Sequence, residues 1–281
     1  MSKSRKIIGS LKFHIPVMIL ALIMLYPLVW MVISSFKDNS LILNDAANLF
    51  LESFKWENYA TGWKGMGGNT FGVFFSNSLF VSIIATIGAV ASSAIVAYAF
   101  ARVSFWGKGF WFVVLMGTMM LPEQVLLVPQ YLMFKSFGWV DTYLPIIIPH
   151  FCALPFFVFL NMQFLRGLPI DLDEAATIDG CGKFKIYFHI LLPLTSPALI
   201  TSMIFSFCWR WQNFLHPMIY LSSPEKYTFA VAIKMFSDPA MQNDWGALFA
   251  MSTLSLIPIV LIFLFLQKYL VEGVASSGIK G

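Results

Sequence analysis

Residues 74–100 read FFSNSLFVSIIATIGAVASSAIVAYAF, with no Asp, Glu, Lys or Arg among them. A helix rises 1.5 Å per residue, so about 20 apolar residues cross a hydrocarbon core of ~30 Å. This run exceeds that length and reads as a membrane span. Its small residues recur every four positions, as in Ala85 to Ala89, Gly88 to Ser92, Ala89 to Ser93 and Ala97 to Ala101. Helices approach one another closely over such faces. Packing inside a bundle is the simpler account of the stripe, and a substrate path along it is the alternative.

Five more runs of comparable length lie at about 13–33, 110–133, 143–164, 196–221 and 246–270. The 281 residues are 58% hydrophobic and 11% charged, where a soluble domain averages about 25% charged. Lipid is thus the main solvent, and the expected fold is an all-α integral membrane protein with six transmembrane helices. The nine Trp and 29 Phe suit lipid-facing surface and interfacial anchors. A formal charge of +4 gives no reason to expect nucleic acid as a partner. Cys152, Cys181 and Cys208 have the spacing of neither a zinc site nor a disulfide framework, so no metal is expected.

Six spans return the chain to its starting side. With residues 1–12 inside, eleven of the 18 Lys and Arg fall in inner segments and six in outer ones, Arg210 lying within a span. Positive residues prefer the cytoplasmic face, so both termini, 1–12 and 271–281, are expected there, flanking a membrane domain at 13–270. Lys3, Arg5, Lys6 and Lys12 also match the basic start of a secretory signal. The apolar run that follows is longer than the roughly 7–15 residues of a signal, and no small-residue cleavage site stands out after it. Three segments outside the spans are long enough to act: outer segments 36–73 and 222–245, and the inner segment 165–195.

The inner segment contains LPIDLDEAATIDGCGKFKIYFHILLPL at 168–194. Asp171 is a good N-cap and Glu174, three residues on, can complete a capping box. A short helix over 172–179 is predicted, with Gly180 supplying the left-handed residue that ends it. A second helical stretch follows at 183–192, closed by Pro193. Acidic residues at the start of the first helix complement its dipole, and Ala175 and Ala176 leave a face with little bulk. Two readings stand on composition: an amphipathic loop lying on the bundle or headgroups, or a surface that another protein approaches.

Glu174-Ala175-Ala176, three residues, Gly180, nine residues and Ile190-Leu191-Leu192-Pro193 together resemble the EAA loop of ABC import permeases. Met120-Leu121-Pro122, Lys226-Tyr227-Thr228 and the ending Gly278-Ile279-Lys280-Gly281 are similar to the carbohydrate-uptake branch, in particular the second membrane subunit of maltose-type importers. The resemblance runs from Leu11 onward and implies the type I importer permease fold in a bacterial-type cell membrane. It further implies a second, different permease subunit, two cytoplasmic ATPase subunits that bind ATP and Mg, and an extracytoplasmic solute-binding protein that delivers a saccharide. Glu174, Ala175, Ala176, Asp179, Gly180, Lys183, Phe184 and Pro193 would then couple to the ATPase, which the tail around Lys280 could also reach. Lys226, Tyr227 and Asn243 would touch the binding protein.

Ionisable residues inside spans mark pathways or buried pairs. Glu123 and Arg210 each lie 14 residues into a run from its inner end, about 21 Å by helical rise, so they could pair. Alternatively they face a cavity and hydrogen-bond a sugar, beside Gln124, Trp209, Trp211, Gln212, Asn213 and His216. That cluster exceeds one helical turn, so not all of it faces one way. There is no phosphate-binding loop of the G-x-x-x-x-G-K-[ST] type, so the chain is expected to be a transport subunit without cofactor or enzymatic activity of its own. The competing reading is a secondary transporter driven by an ion gradient, which calls for several membrane carboxylates or an inverted repeat.

Overall fold

The computed structural model describes residues 3–46, 48–50, 54–236 and 244–278, with side chains between 12 and 270. Among the described residues there are helices and turns but no strand. In chain order they are α1 (Lys3–Ser34), α2 (Asn39–Asn44), α3 (Glu57–Lys64), α4 (Phe71–Arg102), α5 (Lys108–Thr118), α6 (Glu123–Ser136), α7 (Leu144–Ile147) and α8 (Pro155–Gly167). Then follow α9 (Asp171–Ile178), α10 (Lys183–Ile186), α11 (Leu192–Leu194), α12 (Ser196–Trp211), α13 (Leu215–Tyr220), α14 (Phe229–Phe236) and α15 (Trp245–Gly278).

Four stretches are long and apolar enough to cross a membrane: Lys12–Ser34, Phe71–Arg102, Leu144–Gly167 and Trp245–Leu270. The count reaches six if each of two sharply bent pairs is one span. The expected third span is broken, with α5 and α6 meeting at 94° across Met119–Pro122. The expected fifth span differs more. Its straight part ends at Trp211, and the segment bent against it by 74° is Lys183–Leu194, which lies within the inner segment 165–195. Hydropathy registers apolar length and not direction, so both bends are invisible to it.

The chain divides into two compact units. The first comprises Met1–Gly72 and Ala232–Ile257. Here the Lys37 side chain, 5% exposed, donates from Nζ to the carbonyls of Asp45 and Asn48. Asn58 donates to the carbonyls of Ser35 (2.9 Å) and Lys37 (2.8 Å), and Phe36 packs on Phe54, Trp56 and Tyr59. Backbone groups that a loop would otherwise leave unpaired away from water are thereby satisfied.

The second unit comprises Val73–Val231 and Pro258–Gly281. Ala85, Ala89, Ser93 and Ala97, one face of α4, are completely buried, which is the packing outcome for the small-residue stripe. A Cβ added to Gly88 would lie 2.6 Å from the Phe151 ring, so only glycine allows that approach. Ser93 Oγ accepts the Leu154 amide at 2.9 Å, satisfying backbone freed where the chain extends before α8. Asn161 joins α8 to α12 by donating to Ser202 Oγ at 2.9 Å, and Thr201 donates to the Tyr269 carbonyl at 3.0 Å. Polar links of this kind join helices where lipid offers no partner.

Candidate functional site

Three features of the second unit stand out: a cavity that carries charged and amide side chains among apolar ones, an exposed acidic helix and a clasped loop. The cavity, of about 430 Å³, is lined by Glu123, Trp209, Arg210, Asn213 and His216 together with Met119, Leu154, Pro155, Phe156 and Leu215. The bend after α5 makes it. Because the chain turns at Pro122, Glu123 is the first residue of α6, where the positive end of the helix dipole favours a carboxylate. The depth argument from one continuous helix therefore fails, although Glu123 and Arg210 do line the same cavity.

Within the cavity the Glu123 carboxylate meets His216 Nε2 at 3.4 Å rather than forming a salt bridge to Arg210. Asn213 Oδ1 accepts the His216 backbone amide at 3.2 Å, and the Asn213 side-chain amide lies against ring Nδ1, with Nδ2 at 3.1 Å and Oδ1 at 3.3 Å. Arg210 is among the lining residues, and its Nε is buried with no hydrogen-bond partner. Trp209 stacks on Phe157 at 5.4 Å and 29°. Of the six residues expected on a pathway, Glu123, Trp209, Arg210 and Asn213 converge on the cavity. Trp211 does not; it is 1% exposed and packs on Phe207, Phe229 and Phe75. Gln124, one residue past Glu123, also lies off the lining.

The exposed acidic helix is α9, Asp171–Ile178. It starts one residue earlier than expected, and the capping box is not formed. Ile170 is already helical and its side chain caps nothing; its carbonyl takes the Asp173 and Glu174 amides at 2.9 and 3.2 Å. The anchoring comes instead from Arg102 at the end of α4. Its guanidinium donates to the Leu168 carbonyl at 2.8 Å and lies 3.3 Å from the Asp173 carboxylate. Both side chains are largely buried, at 8% and 17% exposure, so the pair holds α9 against the unit.

Ala176 faces inward, packed with Ala97, Phe100, Val158, Met162 and Leu165, while Glu174, Ala175 and Asp179 are exposed. Low bulk at Ala176 thus serves the core, not an approaching protein. Gly180 ends α9 as expected, at φ +77°. Ile178 and Phe184 are 86% and 80% exposed, two large apolar side chains beside an acidic helix. Past Lys183, whose carbonyl accepts a hydrogen bond from Tyr98 Oη at 3.1 Å, the helix does not stop at Pro193. A π-helical turn over Tyr187–Leu191 absorbs the missing proline donor, and the chain bends at buried Thr195.

The clasped loop spans residues 222–228. Lys226 and Tyr227 lie on it but are turned to its own structure: Lys226 Nζ donates to the Asp141 carbonyl (2.7 Å) and carboxylate (2.8 Å), and Tyr227 Oη donates to the Ser222 carbonyl at 3.1 Å. Asn77 donates to the carbonyls of Glu225 (2.8 Å) and Tyr227 (3.0 Å). Asn243 and Lys280 lie outside the described residues. Arg102, Asp141 and Asn77 are the residues that sequence reasoning missed, and a contact 66 to 150 residues away in the chain leaves no local signal.

Bent apolar helices around a cavity that carries charged and amide side chains, with an acidic helix held at the surface, mark a polytopic membrane protein. The chain belongs to the family described as "binding-protein-dependent transport system inner membrane component", whose model matches residues 89–276. It is 37% identical to the probable ABC transporter permease protein YurM of Bacillus subtilis over 91% of this chain and 84% of that one. It is 32% identical to the arabinooligosaccharides transport system permease protein AraQ of the same organism, over 94% and 93%. The trehalose/maltose transport system permease protein MalG of Thermococcus litoralis is 29% identical over 94% of each chain. In fold it is similar to a chain of a bacterial ABC transporter that imports the acidic polysaccharide alginate, with a TM-score of 0.80 at 20% identity, covering 96% of this chain and 98% of that one.

Proposed function

We propose that this chain is the membrane-spanning permease subunit of an ATP-driven importer that moves a sugar or oligosaccharide by alternating access. Its carbohydrate cargo is supported by the arabinooligosaccharide and trehalose/maltose permeases among its relatives. Both termini are cytoplasmic, a second permease subunit completes the pathway, two ATPase subunits bind ATP and Mg, and a solute-binding protein delivers the saccharide on the outer side. Glu174, Ala175, Asp179, Gly180, Lys183 and Phe184 meet the ATPase, with Ala176 and Pro193 holding the surface in shape.

The observation that carries this reading is the contrast on α9: a solvent-facing side of Glu174, Ala175 and Ile178 over an inner side fixed by Ala176 and the Arg102–Asp173 pair. An element held so firmly, yet exposing large apolar side chains, suits rigid-body transmission of a partner's motion. Closing of the ATPase dimer on ATP would move α9, and the bent helices at its flanks would reorient the cavity. Glu123, Arg210 and Asn213 supply charged and amide groups for saccharide hydroxyls, and Trp209 an apolar ring face.

The test is uptake by the assembled complex in proteoliposomes. Saccharide accumulation should require ATP and persist when the proton gradient is collapsed. Accumulation driven by an imposed ion gradient without ATP would overturn the proposal and favour a secondary transporter.

A further inference from the structure

Asp141 is the sole described non-glycine residue with positive φ, at +61°. Aspartate tolerates this left-handed region better than most residues, yet the conformation still has a cost, so what it secures is of interest. Its backbone amide donates to the Tyr220 carbonyl at 2.7 Å. Its Oδ1 accepts the amides of Ser222 and Ser223, both at 2.9 Å. Its Oδ2 accepts Ser223 Oγ at 2.6 Å and Lys226 Nζ at 2.8 Å. One side chain thus engages three residues of a loop that is 81 to 85 positions away in the chain. The far side of the loop is held by Asn77 through the Glu225 and Tyr227 carbonyls, and Phe229 donates its amide to Ser78 Oγ at 2.8 Å.

The arrangement redistributes charge. The Lys226 ammonium is neutralised by a carboxylate within the protein, while Pro224 and Glu225 are exposed. The unpaired charge at the tip of this loop is therefore acidic. We infer that Asp141 is a positioning residue: by holding Ser222, Ser223 and Lys226, it presents Pro224 and Glu225 as the contact for the solute-binding protein. The charge that partner meets is the Glu225 carboxylate and not the Lys226 ammonium, so its facing surface carries basic or hydrogen-bond-donor groups. The inference rests on the proposed function, because it needs this loop to lie on the side from which a binding protein delivers. A loop already ordered when free loses less conformational freedom on docking, and like-charge reversal at a contact is strongly unfavourable.

The experiment measures ATPase rate of the reconstituted assembly against the concentration of a purified binding protein that stimulates the wild type. Asp141→Gly removes the carboxylate while accepting positive φ without strain, and Glu225→Lys changes only an exposed side chain. Each should raise the half-saturating concentration about tenfold, a factor typical of one well-ordered contact, with the maximal rate within about twofold of wild type. Lys226→Met should add little to Asp141→Gly, because both act through one clasp, whereas Glu225→Lys should add its full effect.

An unchanged half-saturating concentration in either single variant would overturn the inference, as would a fall in maximal rate alone. If Asp141→Gly does not assemble, Glu225→Lys decides: an unchanged half-saturating concentration there overturns the inference. A wild-type assembly that no binding protein stimulates would sink the proposed function itself, which is a distinct result.

Discussion

Gly180 occupies φ +77° with nothing within 4 Å of a Cβ built on it, so a side chain there meets strain in its own backbone and no neighbour. Left-handed backbone costs an ordinary residue about 1–2 kcal/mol, and Asn less. Gly180→Val should leave the chain in the membrane at normal amounts but lower ATP-driven uptake at least about tenfold, while Gly180→Asn should retain most of it; immunoblots and uptake assays read the two. Equal loss in both would show that the left-handed turn is not what matters. Asp141 permits a statement about pH. Hydrogen bonds from Lys226, Ser223 and Ser222 hold its carboxyl well below the usual carboxylate range. A group with its folded value depressed stabilises fully above its unfolded value and loses that contribution as pH falls through the folded one. The difference in melting temperature between wild type and Asp141→Asn should accordingly stay constant from about pH 8 to pH 5 and shrink only below the unfolded aspartate value near 4. A difference that faded across neutral pH would point to another titrating group. Neither Asp141 nor Arg102 drew notice as a sequence feature beyond a charge count, because what defines each is a partner far along the chain.

Helix α9 separates two neighbouring alanines into different jobs. Ala176 is 5% exposed within the cluster of Phe100, Met162 and Leu165, and Ala175 faces solvent. Ala176→Leu should overpack that cluster and cost roughly 1–3 kcal/mol of stability, seen as a lower melting temperature. Ala175→Leu should leave the melting temperature unchanged while abolishing stimulation of the ATPase. If both lost stability alike, the exposed face of α9 would be part of the packing and not a contact surface. The sequence made much of this element legible. Its length, its glycine stop and its acidic first turn follow from local rules, and so does the apolar length of four spans. What it could not deliver were directions. The 94° bend falls inside an apolar run and the 74° bend just ahead of one, and the π-helical turn that carries the chain through Pro193 is a compromise between a missing donor and the packing of Ile186, Tyr187 and Leu191. The capping box failed for a related reason: Ile170 is pinned in helical conformation, and its carbonyl supplies the acceptor that Asp171 would have provided.

At the scale of the molecule, the cavity, α9 and the clasped loop all belong to one compact unit, residues 73–231 with 258–281. Within it, α12 connects the segment 183–194 after α9 to Trp209 and Arg210 in the cavity, and α13 leads from His216 to the clasp at Tyr220. The helix joining the cavity to the segment 183–194 is only 16 residues long and meets that segment at a 74° bend at Thr195, so a rotation of the segment would reach the cavity lining through helix and one bend. Cavity exposure should then depend on nucleotide state. With Cys152, Cys181 and Cys208 replaced, a cysteine at Asn213 in the reconstituted complex should react with a membrane-impermeant thiol reagent added from the ATPase side without nucleotide. With the ATPase trapped in its ATP-bound closed form and binding protein docked, labelling should shift to the opposite side. Gly180 is the left-handed turn between α9 and the segment 183–194, so on the proposed function Gly180→Val should freeze labelling in the nucleotide-free pattern even when ATP is bound. Reactivity from one side in every state would mean that the cavity is a fixed vestibule and that movement of α9 does not reach it.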